Sequence, residues 1–190
     1  MLPDHFDDLV EKSLRRDLPI ITTPHAREHL EAKKEGDEKF TAVYDLDFFE
    51  SSLLNVNNPE SKTGKVPAIK VTGMPGKHVP PGPLAVANDL LGAVPPTNGW
   101  MVELGYKPSV SLKDTEFTSG YRIYISGKQQ PGPVTDDRRL IFTVAGDTLM
   151  IDELKEIPER YAGQNIDLML VHLGGTTIPS PSVPLLMVSN

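Results

Sequence analysis

One run constrains the fold more than any other: Gly73-Met74-Pro75-Gly76-Lys77-His78-Val79-Pro80-Pro81-Gly82. Its prolines lack amide donors and fix φ, so the run can be neither helix nor central strand. It must be a stiff loop, and it presents His78 from a rigid backbone. The 190-residue chain holds 18 prolines in all, above the usual share of about 5%, so other connections are expected to be rigid and extended too.

The segments around this loop alternate between strand and helix patterns. Val66 to Thr72 alternates as a strand that runs into the loop, and Leu84 to Leu91 follows it as a short helix. Trp100 to Leu104 and Tyr121 to Ile125 are β-prone. Upstream, Phe6 to Arg16 reads as an amphipathic helix, Ile20 to Thr23 as a short β run, and Pro24 as the start of a helix over His25 to Lys34. Phe40 to Asp45 alternates like a strand, with Phe48 to Val56 as its expected neighbour. Downstream, Ile151 to Tyr161 reads as a helix that Pro158 kinks or ends, and Asp167 to Leu173 as an apolar, buried strand. Alternating elements of this kind predict a layered α/β fold in one domain over residues 1–190.

Composition narrows the functional classes. Net charge is −7 with both signs interspersed, which leaves no electrostatic footprint for nucleic acid. No apolar run reaches the ~18 residues of a membrane span, and no leader precedes Asp4, so a cytoplasmic address is expected. Cysteine is absent, which excludes disulfides and thiolate ligands. A metal would have to be held by His, Asp or Glu.

Three places carry such ligands in promising settings. Asp4-His5 opens the first helix pattern, where a carboxylate is favoured by the helix dipole in any case. His78 stands on the proline-rich loop. Asp147 lies in a Gly146-Asp147-Thr148 turn. The run His25-Ala26-Arg27-Glu28-His29 sets two histidines on one helix face and fits an H-x-x-E-H pattern, but its polar surroundings read as a solvated helix face. His172, inside an apolar run, reads as a core or strand-end histidine.

Together these residues resemble the metallo-β-lactamase superfamily, in particular its branch of zinc-dependent hydrolases that includes proteins like N-acyl-phosphatidylethanolamine phospholipase D and ascorbate-phosphate lactonase. Asp4-His5-Phe6-Asp7-Asp8 looks like the tail of the family's His-x-His-x-Asp-His motif. Met74 to His78 resembles the loop of its third histidine, and Gly146-Asp147-Thr148 matches the turn of its metal-bridging aspartate. The likeness spans nearly the whole chain except Lys128 to Ala145, which reads as an insertion. It implies an αββα sandwich, truncated here by the loss of the N-terminal strands and a C-terminal segment.

The resemblance further implies a hydrolase of ester, lactone or phosphodiester bonds, acting on a small or lipid-like substrate through hydroxide generated at zinc. Asp4, His5, His78 and Asp147 are the implied metal ligands, and Asp4 and Asp147 the implied catalytic residues. The family's earlier and last histidines have no counterpart here, so one weakly held zinc ion, or none, is expected. Truncation also implies an open sheet edge through which copies of the chain could associate. The alternative expectation is a catalytically inactive α/β binding module, or a non-functional fragment from an incomplete gene model.

Overall fold

Period-two alternation builds the larger sheet. In the computed structural model, which describes residues 8–32, 39–56, 64–77, 79–92, 94–108, 116–126, 148–149 and 151–171, β3 (Ser51–Asn55), β4 (Lys65–Met74), β5 (Gly99–Pro108), β6 (Thr118–Ser126) and β7 (Leu168–Val171) form a five-stranded sheet in that order. The first four strands are antiparallel neighbours, and β7 joins β6 in parallel. Because side chains alternate across a strand, the register gives the sheet two chemically different faces.

On one face Ile69 stands opposite Leu54 and Leu104, and Val71 opposite Val102, which in turn faces Ile123. These residues, with Leu46 and Ile125, make one apolar cluster. On the other face Lys70, Glu103 and Arg122 stand directly opposite one another across β4, β5 and β6. Beside that row lie buried Met74, Met101 and Tyr124, covered by Ile157 and flanked by Leu154 and Tyr161. Burying one large apolar side chain contributes about 1.5–3 kcal/mol, so both faces hold the sheet, but only one does so with charge inside it.

A smaller unit precedes the large sheet. Helix α1 (Asp8–Ser13) leads to β1 (Ile20–Thr22), α2 (Pro24–Glu31) and β2 (Val43–Asp45), and β1 and β2 pair in parallel as a two-stranded sheet. Thr23 caps α2 by accepting from the Ala26 amide at 3.2 Å, and Pro24 sits in the first turn, where its missing donor costs nothing. Leu30 on the inner side of α2 packs with Phe40 and Val43, with Leu14 and Ile20 alongside.

Several elements differ from the sequence expectations. The segment 48–56 does not pair with 40–45: β3 joins β4 in the other sheet. The turn at Asp47–Glu50 makes the switch, with Phe49 held at φ 63° and its amide donating to Gly73 O at 2.7 Å. The described part of α1 ends at Ser13, short of Arg16, and α2 ends at an Ala32 cap rather than running to Lys34. The stretch 151–161 splits into a 3₁₀ turn (Asp152–Lys155) and α4 (Glu156–Arg160). Pro158 does not break α4, because it lies in the first turn, where amides have no intrahelical acceptor. Finally, β7 is not buried. It is last in the sheet order among the described residues, and Leu168, Met169 and Leu170 are exposed.

The observed architecture is a mixed α/β arrangement of two sheets flanked by helices. No helix among the described residues is long and apolar enough to cross a membrane. The expected insertion at 128–145 lies outside the described residues.

Candidate functional site

Strand β4 delivers the proline-rich loop, and two of its glycines, Gly73 and Gly76, are there because of close approach. A Cβ on Gly73 would come within 2.6 Å of Asp47 O and 3.1 Å of Asn98 Nδ2, and one on Gly76 within 2.7 Å of Thr97 O. Any side chain at either position would displace backbone. Thr97 and Asn98 are buried, and Asn98 donates to Leu46 O at 3.0 Å. One side of the loop is therefore packed against 97–98 with its polar groups matched.

The other side of the loop is tied to the Gly-Asp-Thr segment. The Lys77 amide donates to Thr148 Oγ1 at 2.8 Å, and the Leu149 amide donates to Lys77 O at 2.7 Å. Lys77 adjoins His78 in sequence and Thr148 adjoins Asp147, so the two motif-bearing loops are hydrogen-bonded neighbours. His78 and Asp147 themselves, with Asp4, His5 and His172, lie outside the described residues. Among the described residues no group of three or more His, Asp or Glu side chains converges as a metal site.

A polar row centred on a buried carboxylate crosses β4, β5 and β6, and the sequence expectations missed it. Glu103 is only 3% exposed, and its Oε1 accepts from Arg122 Nε at 2.8 Å. Its Oε2 lies 3.1 Å from Lys70 Nζ, an ion-pair distance, but the angle excludes a hydrogen bond and leaves that oxygen without one. Arg122 is fixed in turn by reciprocal contacts with Asp167: its amide donates to Asp167 Oδ2 at 2.8 Å, and its carbonyl accepts from the Asp167 amide at 2.9 Å. Ser51 and Thr72 share a hydrogen bond of 2.8 Å. Burial, and then the negative charge of Glu103, push the Tyr161 phenol above its ordinary range. A charged residue inside Trp100-Met-Val-Glu-Leu104 was the available signal, because a carboxylate among core residues needs cationic partners.

The two histidines of α2 are ordered. His25 Nε2 lies 3.1 Å from His29 Nε2, on the helix of the unit built from β1, α2 and β2. Arg27, between them in sequence, turns to the other side and pairs with both Glu31 and Asp45. The guanidinium holds the Asp45 carboxyl below its usual range.

No protein-family model, curated protein or solved structure matches this chain.

Proposed function

We propose that this chain is a metal-dependent hydrolase of the metallo-β-lactamase kind, acting on an ester, lactone or phosphodiester. The observation that carries the reading is the double hydrogen bond between Lys77 and the Thr148-Leu149 step. It supports a site in which His78 and Asp147 act together. The donor set fits zinc chemically: imidazole and carboxylate are its usual ligands, and three protein ligands with an open position are the catalytic pattern. Asp4, His5 and Asp147 would hold one ion, with His78 at the second position. When bound, zinc supplies Lewis acidity and lowers the pKa of water from about 15.7 to about 7.

The chain's own contribution is positioning. Gly73 and Gly76 let the loop seat on 97–98 without strain, and Thr148 fixes its far side. That tie supports a shared site, because a metal centre requires its ligands at a set separation. The finer architecture, an αββα sandwich, belongs to the same proposal and is supported by two sheets flanked by helices.

The test is hydrolysis of a panel of ester, lactone and phosphodiester substrates by zinc-loaded protein. Activity lost on both His78→Ala and Asp147→Ala supports the reading; activity indifferent to both, in folded protein, rejects it. A second reading, a non-catalytic binding module, is favoured by α3 (Pro83–Leu91), which leaves Leu84, Val86, Leu90 and Leu91 exposed.

A further inference from the structure

The hydrolase reading leaves His25 and His29, the two histidines among the described residues, without a task. Four positions apart on α2, they share one helix face. Their rings meet edge to face with centroids 4.5 Å apart and planes inclined at 76°, and their Nε2 atoms are 3.1 Å apart. Nitrogens that bind one borderline cation each lie about 2.0–2.1 Å from it, so a 3.1 Å separation subtends about 98° at the metal. That angle falls between the tetragonal and tetrahedral arrangements favoured by divalent first-row ions.

The present contact is itself a hydrogen bond, with one imidazole donating and the other accepting, so at least one ring is neutral. A cation takes the place of the shared proton: the donor ring carries its proton on Nδ1 instead, and both Nε2 lone pairs are free. Burial, followed by the like charge of His29, lowers the pKa of His25, which favours the neutral form that coordination needs; Glu28 opposes this. The backbone is held in advance by the Thr23 cap, by buried Leu30 and by the Arg27 pairs to Asp45 and Glu31. Those pairs also occupy two neighbouring carboxylates, which leaves exposed Glu28 as the nearby anion on the helix.

We propose that His25 and His29 form a two-point chelate for a divalent first-row transition cation of the Cu²⁺, Ni²⁺ or Zn²⁺ class. Water or a small donor molecule fills the remaining positions, since no third protein ligand joins them among the described residues. Cu²⁺ should bind tightest in the series.

The test uses Cu²⁺ as probe on the full chain with His5, His78 and His172 changed to Ala, which leaves this pair as the only histidines. One equivalent should bind with two nitrogens in the electron paramagnetic resonance spectrum, and His25→Ala or His29→Ala should each weaken it about a hundredfold through loss of chelation. Both are substitutions on a helix surface by its best former, and circular dichroism checks that the fold persists. If the triple substitution does not fold, the same two single variants in the otherwise unaltered chain give the comparison by calorimetry. Affinity unchanged by either variant, or a one-nitrogen spectrum, overturns the proposal. Hydrolytic activity should be indifferent to His25→Ala and His29→Ala, so this inference and the hydrolase reading fail separately.

Discussion

Val102 and Glu103 are consecutive residues of one strand, almost equally buried, and they meet opposite worlds. Val102 packs among Val71, Ile69 and Ile125 on an all-apolar face. Glu103 is held between Arg122 and Lys70 on a face that also buries Met101 and Tyr124. An apolar face excludes a one-residue slip, which would turn its side chains outward, but tolerates a two-residue slip, because many packings exclude water about equally well. A buried ionic row is only acceptable when its partners align, and a one-residue slip would turn Glu103 into the apolar cluster. We read the first face as the source of cohesion and the second as the device that sets the register of β4, β5 and β6.

Substitutions at the two positions sharpen this contrast. Glu103→Ala leaves Arg122 and Lys70 near a carboxylate that is gone and should cost about 3–5 kcal/mol in denaturant unfolding. Lys70 is the more exposed of the two cations, so the lower part of that range is expected. Val102→Ala removes two methyl groups from the other face and should cost about 2 kcal/mol, as lost burial together with the cavity left behind. A Glu103→Ala cost at or below that of Val102→Ala would remove the distinction.

Replacing the whole row tests register directly. Lys70→Met, Glu103→Leu and Arg122→Met together should change stability by no more than about 1–2 kcal/mol, because desolvation of the three charges is no longer required. What should suffer is uniqueness, seen as broadened amide resonances along β4 to β6. Sharp, undisturbed spectra would show that the row does not specify register.

The smallest effect is in alkaline solution. Tyr161 is an acid with a raised folded pKa, so above pH 10.0, its ordinary value, the folded chain holds a proton that the unfolded chain has lost. Stability is therefore intact below that pH and declines as pH rises through the folded pKa. Tyr161→Phe should flatten this part of a melting-temperature profile, and a slope unchanged by the variant would contradict the assignment.

The parts of the fold that were legible are those where local chemistry decides. Prolines and glycines marked the loop, although it opens only at Pro75, because Gly73 and Met74 still pair with β5 as part of β4; alternation marked β4, and β-prone residues marked β5 and β6. What escaped reading depends on distant partners. Glu103 looks like an error in an apolar strand until Arg122 and Lys70 are seen on the strands beside it. Strand β3 looks like a partner for β2 until Phe49 turns the chain toward Gly73 O. β7 carries the composition of a buried strand, but burial requires a layer over it, and composition does not say whether one is there. For the proposed site, the resemblance named Asp4, His5, His78 and Asp147, which lie outside the described residues; the tie between Lys77 and Thr148 was not visible, because an amide and a hydroxyl so far apart in sequence leave no pattern.

The most direct measurement is zinc content after dialysis, by elemental analysis, in protein carrying His25→Ala and His29→Ala so that the α2 pair contributes nothing. The account predicts retained zinc, up to one ion per chain, that falls sharply on adding Asp147→Ala and less on adding His78→Ala, which lies at the second position. Folded protein that retains no zinc, or zinc that survives both substitutions, would contradict it.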